Sequence, residues 1–176
     1  MNNEKVMASE ISVGDTFTVA GIEWIKFPEN DGKFIAVAKG SLGEKNFDPD
    51  SNYFSKSSLL KHLEKNILPK IIAEVGKDNV HEFETDLFSF DGHRKYGKMK
   101  SKISLPTFDF YRENRKLFDM HPINDWWWLS TPNGESYGVC VVAPSGFVLI
   151  SSGLFHLIGV RPVCIFSSCI FVSRKA

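Results

Sequence analysis

Cysteine is scarce in this chain of 176 residues. Cys140, Cys164 and Cys169 form an odd set without a CxxC pair, which speaks against a disulfide framework and a tetrahedral zinc site, leaving room for one disulfide. Net charge is missing as well: 21 Lys and Arg residues are matched by 21 Asp and Glu. Binding nucleic acid by phosphate neutralisation needs a basic excess or a basic face, so no nucleic-acid partner is expected, nor electrostatic docking on a membrane. Long apolar runs are absent too. None approaches the roughly 20 residues of a membrane-spanning helix, so no membrane insertion is expected. The opening MNNEKVMASE lacks the apolar region of a signal peptide, and none is expected. With 43% hydrophobic and 24% charged residues the composition is that of a globular protein, and the length suits a single domain over residues 1–176.

Charge is also missing locally. The first 119 residues hold 37 of the 42 charged side chains, and between Met120 and Ser173 only Asp125, Glu135 and Arg161 carry charge. No Pro-, Gly- or Ser-rich linker separates the two parts, so a charged flank and an apolar second part belong to one domain. In the first part, the β-branched and aromatic residues of Thr16 to Phe27 around Gly21 predict two strands or a bulged one. Lys33 to Ala38, after Asn30-Asp31-Gly32, predicts the next. Ser55 to Asn66 predicts a helix, with Ser55 or Ser57 as cap and Leu59, Leu60 and Leu63 on one face. A second short helix is expected from Pro69 to Val75, ended by Gly76, and a third from Pro106 to Phe118. In the second part, Tyr137 to Ala143 and Phe147 to Ile150 flank Pro144-Ser145-Gly146 as a hairpin, and Val160 to Val172 reads as a final strand. Early helices and late antiparallel strands indicate an α+β domain.

Three local patterns resemble catalytic or metal motifs and fail on inspection. Gly134-Glu135-Ser136-Tyr137-Gly138 has the spacing of a nucleophile elbow, but a strand-like run follows it and no Asp or Glu occurs after Glu135. His81-Glu82 opens like a zinc-protease helix, yet Thr85 stands where the second histidine belongs. Asp48, Asp50 and Asn52 begin like a calcium loop, but Tyr53 and Leu59 occupy the positions that require Gly and Glu. Neither a catalytic residue nor a metal ligand is assigned, and no cofactor is expected.

Alternation along the hairpin is more informative. Cys140, Val142, Val148 and Ile150 fall on one side, and Val141, Ala143, Phe147 and Leu149 on the other, so both sides are apolar. A half-exposed hairpin alternates apolar with polar. Either the hairpin is central and covered on both sides, or one face joins the segment 151–158 as an exposed apolar patch of the kind that marks a binding site.

WWWLSTP at 126–132, VAPSG at 142–146 and Gly159-Val160-Arg161-Pro162 resemble the signature of a widespread bacterial and phage family with WWLRSP-like and GVRP motifs. VGDTFTVAGIEWIKF at 13–27, LLKHLEKNIL at 59–68 and KISLPTFDF at 102–110 extend the likeness over most of the chain. With GVRPVCIFSSCIFVS at 159–173, the chain is similar to variable proteins of diversity-generating retroelements, which share a C-type-lectin-like fold with formylglycine-generating-enzyme-like domains. The resemblance implies a C-type-lectin-like mixed fold of antiparallel strands and two or three helices. In such proteins adenine-directed mutagenesis diversifies a ligand-binding face, here 126–162. It implies a scaffold of Trp126, Trp127, Leu129, Cys140, Val142, Pro144, Gly146, Val148, Gly159, Arg161 and Pro162, with Arg161 held by backbone carbonyls or a carboxylate. Candidate ligand-binding positions are Tyr137, Gly138, Val141, Ala143, Phe147, Leu149, Ser151, Ser152, Leu154, Phe155, His156 and Leu157. The chain departs from the usual signature at Thr131 and in its third tryptophan.

Mutating the adenines of AAC-type codons never yields Lys, Glu, Gln, Met or Trp, and none of these occurs between Ser136 and Ser173. Apolar strands also lack most of these residues. The expected function is a non-enzymatic receptor-binding display protein on a virion or cell surface, with a protein or other surface ligand on a host or neighbouring cell. The oligomeric state is open. Two alternatives are a calcium-dependent carbohydrate-binding lectin, for which Asp125 and Glu135 offer few carboxylates, and a formylglycine-generating-type oxidoreductase, which needs thiols close together, whereas Cys164 and Cys169, five apart on one expected strand, should point to opposite faces.

Overall fold

The protein was analysed as a computed structural model that describes residues 3–134, 137–154 and 156–175. Asn3–Met7 (β1), Thr16–Val19 (β2), Ile22–Asn30 (β3) and Lys33–Ala38 (β4) come first, with tight turns at Ala20-Gly21 and Asp31-Gly32. After Glu44–Lys45 (β5) come the helices Ser58–His62 (α1) and Leu68–Val75 (α2), joined by a wider helical turn at Leu63–Ile67. Val80–His81 (β6), Phe83–Asp86 (β7), Lys98–Ser101 (β8) and Ile103–Ser104 (β9) lead to Phe108–Glu113 (α3) and Arg115–Asp119 (α4). Trp127–Pro132 (β10), Gly138–Val142 (β11), Val148–Ser152 (β12), Ile158–Gly159 (β13), Val163–Ser167 (β14) and Phe171–Lys175 (β15) complete the chain.

These elements make an α+β fold, as the segregation of helices and strands predicts. One sheet runs β1-β15-β2-β3-β4-β14-β6, with β9 also on β14. A second runs β12-β11-β10-β13-β5, and β7 and β8 form a separate ribbon. Every pairing is antiparallel except β10 with β13.

Local chemistry explains where the elements differ from expectation. Thr16 to Phe27 makes two strands, and the bulge falls later, between Lys26 and Glu29, where Pro28 has no N–H for the ladder. The two predicted helices between 55 and 75 merge into one continuous helical run from Ser58, capped by Ser57 Oγ, which accepts from Leu60 N at 3.0 Å. The ring of Pro69 clashes with a regular turn before it. The run widens there, and Leu68 N–H reaches back five residues to Leu63 O. The predicted helix 106–118 breaks at Asn114, whose Nδ2 donates to Phe110 O at 2.9 Å in competition with the backbone. Val160 to Val172 is two strands, not one.

Alternate residues of the central strands enter two different cores. Trp24, Ala36, Trp128, Val139 and Val141 join the cluster under the α1–α2 run, while Ile25, Val37, Trp127, Cys140 and Val142 join the cluster with Tyr111 and Phe118 of α3 and α4. Strands covered on both faces need both parities apolar, which is why two tryptophans stand side by side.

The residues that mimic a calcium loop instead hold backbone. Asp48 accepts from Asp50 N at 2.9 Å and Ser58 N at 2.7 Å. Buried Asn52 Nδ2 faces Tyr96 Oη at 3.1 Å, Asn133 O at 2.8 Å and Gly138 O at 3.1 Å, tying the approach to β11 to the early chain. Asn52→Ala removes these bonds but leaves Gly138 O accepting from Asn133 N at 2.8 Å and Asn133 O from Tyr96 Oη at 2.8 Å, so it is expected to cost about 0.5–1.5 kcal/mol, measured by urea denaturation.

A candidate ligand-binding face

The β11–β12 hairpin pairs Val142 with Val148, Val141 with Leu149 and Cys140 with Ile150. Strand order, not parity, decides which of these residues meet solvent. β11 lies between β10 and β12 and is buried along its whole length, on both faces. β12 is the last strand of the sheet, and Leu149 and Ile150, which point to opposite faces, are 50% and 41% exposed. Neither expectation for the hairpin therefore holds as framed: one strand is sealed on both sides and the other is open on both.

The turn between them is held from behind. Gly146 N donates to Ala143 O at 2.8 Å and Ala143 N to Phe147 O at 2.9 Å. Tyr111 Oη and Arg115 Nη1 donate to Gly146 O at 2.9 and 3.1 Å. Gly146 has φ of +81°, a conformation that strains any residue with a Cβ, and a Cβ there would also displace the Arg115 guanidinium from the turn. This fixed turn presents Phe147, 73% exposed.

Beyond β12 the chain crosses to β13. Phe47 N donates to Gly153 O at 3.2 Å, Gly153 N to Tyr137 O at 3.0 Å, and Asn46 Nδ2 to Leu154 O at 3.1 Å. Ser151 Oγ and His156 Nδ1 form a 2.8 Å hydrogen bond. At Gly159 the backbone comes so close to Trp126 that a Cβ would sit 2.6 Å from its carbonyl oxygen. The segment thus brings Ser151, His156 and Leu157 beside Trp126, and the four line an open trough of about 610 Å³. Glu44, Asn124 and Asp125 contribute polar groups to the same trough. Leu157 and Trp126 are 64% and 44% exposed. Phe147 and Leu149 share the parity of Ser151 and extend the apolar surface along the strand.

Of the twelve candidate positions, Ser151, His156 and Leu157 meet in the trough. Phe147 and Leu149 adjoin it by strand parity. Tyr137 is exposed at the other end of β11, and Ser152 and Leu154 are half-buried. Gly138, Val141 and Ala143 are buried and belong to no exposed face, because parity on a central strand selects between two interiors. Phe155 lies outside the described residues, as do Glu135 and Ser136 of the elbow-like pattern. Two residues assigned to the scaffold are surface residues: Trp126, because it precedes the first residue of β10, and Pro144, because it stands in the turn after β11. Ile150, assigned to neither group, is exposed as well, because β12 is an edge. The third tryptophan was the available signal, since two suffice to fill both cores.

The thiols bear on the oxidoreductase alternative. Cys140 is buried, which pushes its thiol up to about 12, with the Asp91 carboxylate adding to the rise. Cys164 is buried and raised further, while Cys169 is exposed in the turn after β14. Thiols held protonated are weak nucleophiles and weak metal ligands. His81, of the zinc-like pattern, bonds Ser167 Oγ through Nε2 at 2.8 Å.

A charged substitution on this surface should leave folding intact. Phe147→Asp is expected to change stability by no more than about 0.5 kcal/mol, checked by chemical denaturation. A comparison with known proteins returns no match to the chain, whether among protein-family models, curated proteins or solved structures.

Proposed function

We propose that the chain is a receptor-binding display protein with a C-type-lectin-like fold, whose C-terminal face is diversified by a retroelement and grips a protein surface without catalysis. One observation carries this reading. Six of the ten large apolar side chains exposed among the described residues, Trp126, Tyr137, Phe147, Leu149, Ile150 and Leu157, fall within 126–157. Of these, Trp126 and Leu157 line the trough and Phe147 and Leu149 continue it along β12, while Tyr137 and Ile150 lie apart. Contiguous apolar surface on a rigid framework marks an interaction site, and aromatic anchors are the side chains that dominate such contacts. The pinned turn and crossing segment supply preorganisation, which lowers the ordering cost of binding. Display on a virion or a cell surface fits this role.

The test is genomic and direct. Beside the gene there should be a reverse transcriptase and a near-copy of the codons for 126–162, with differences confined to adenines in the copy. A neighbourhood with neither removes the diversification, and the binding role then rests on the surface alone. For that role, Phe147→Asp combined with Leu157→Asp should abolish adhesion of the labelled protein to host cells while leaving the melting temperature unchanged. Adhesion that survives both changes sinks it.

A carbohydrate ligand, the lectin alternative, is favoured by the polar rim of Glu44, Asn124 and Asp125 beside the exposed Trp126 indole. This reading predicts that simple sugars quench Trp126 fluorescence, with calcium strengthening the effect. A response unchanged in Trp126→Ala counts against it.

A further inference from the structure

Arg161 is 2% exposed, and its surroundings are unusual for a charged side chain. The sequence leads one to expect backbone carbonyls or a carboxylate around it. Among the described residues it has one hydrogen bond, from Nε to Ala38 O at 2.7 Å, and Nη2 is buried with no acceptor. Its guanidinium carbon lies 5.0 Å from the Trp127 ring and 5.2 Å from that of Phe118. Rings facing a cation return part of the solvation it has lost, but they do not accept in-plane N–H bonds as an oxygen does. Burial pushes the group down to about 10, so it still carries its charge at neutral pH. A buried charge without a counter-ion is costly, and such groups are normally paired.

The same three residues, Arg161, Trp127 and Phe118, line a cavity of about 130 Å³ behind the Pro144-Ser145-Gly146 turn. That volume exceeds what one water needs by several-fold. Three other polar side chains of its wall are already engaged, and the fourth, Ser145, carries no charge. Asp119 is paired with Arg115 at 2.6 Å, Tyr111 Oη donates to Gly146 O, and His121 Nε2 bonds Gly14 O at 2.6 Å. Arg161 is therefore the one charge of the wall without an opposite charge among the described residues.

We propose that this cavity is a binding site for a small carboxylate, whose oxygens accept from the Nη groups of Arg161. A carboxylate matches the planar fork of a guanidinium, and a monovalent anion cancels the single unpaired charge. The site is separate from the exposed face and stands or falls independently of the binding role. It lies directly behind the turn that carries Phe147, so an occupant would brace that turn.

The test compares sodium acetate with sodium chloride at equal ionic strength and pH 7. Acetate at 100 mM is expected to raise the melting temperature of the natural chain by about 3–5 °C over chloride, consistent with a Kd on the order of 5 mM. Arg161→Met keeps the side-chain bulk and removes the guanidinium, and it should lose the acetate effect. Should that variant fail to fold, Ser145→Phe at the turn, aimed at closing the cavity, should reduce the effect while leaving the melting temperature in chloride unchanged. Equal melting temperatures in the two salts overturn the proposal. So does an acetate effect that persists in Arg161→Met, or a crystal grown in acetate with only water at Arg161.

Discussion

Trp128→Ala is expected to lower stability by about 3–5 kcal/mol, the range for deleting a large aromatic side chain from a packed interior. Trp128 is fully buried, meets Phe47 edge-on at 5.5 Å, and donates Nε1–H to Lys45 O at 2.8 Å. Its loss opens a void and also removes the indole donor from Lys45 O on β5. Two costs acting together place the value toward the upper end. Urea denaturation reads it directly: the midpoint falls, and an unchanged slope shows that the chain still unfolds in one step. A loss below about 2 kcal/mol would mean that the second sheet does not depend on this contact. Trp126→Ala is the control, since the neighbouring ring is exposed and its removal should cost little.

Arg161 gives a second large effect whose size depends on the replacement. Arg161→Ala removes a long buried side chain from between two aromatic rings and deprives Ala38 O of its donor, and about 3–4 kcal/mol should be lost. Arg161→Met refills much of the volume and removes a buried charge that has no counter-ion. Exchanging buried charge for apolar bulk is often neutral or stabilising, so Met should stay within about 1 kcal/mol of the natural chain. Equal, large losses in both variants would mean that the charge itself is paired in solution. The pH dependence has a definite sign. The folded guanidinium titrates below its unfolded value, so the unfolded chain binds more protons between about pH 10 and the ordinary arginine range. The burial penalty is fully present below pH 10 and is relieved as pH rises above it. Arg161→Met has no such penalty at any pH.

Much of this fold is written in short stretches. The Asn30-Asp31-Gly32 and Pro144-Ser145-Gly146 turns, the Ser57 cap and the doubled apolar parity of 138–142 all point to the elements they form, because each depends on neighbours a few residues away. What local pattern does not carry is which strand lies beside which. Val141 and Leu149 look alike by alternation, yet one sits in the middle of a sheet and the other at its margin. That difference moved Val141 and Ala143 from the candidate surface to the interior and left Ile150, on the side of Cys140 and Val142 by alternation, open to solvent. The same limit hid β1, whose charged Asn3–Met7 is recognisable as a strand only when paired with β15, from the far end of the chain. The trough was half legible: Ser151, His156 and Leu157 stand out as an irregular run, while Glu44 and Asn124 reach it only through tertiary packing.

The strand order of the larger sheet also governs when the molecule can form. β15 lies between β1 and β2, and β14 lies beside β4, so the earliest and latest parts of the chain are interleaved. On the ribosome, the amino-terminal hairpins must wait with open edges until translation of the last strand is finished. Pairings this distant in sequence fold slowly and leave sticky edges exposed meanwhile. The strands that close this sheet lie outside β12, which is an edge of the second sheet. Amino-acid changes at the exposed Phe147, Leu149 and Leu157 thereby leave the pairing of β14 and β15 untouched.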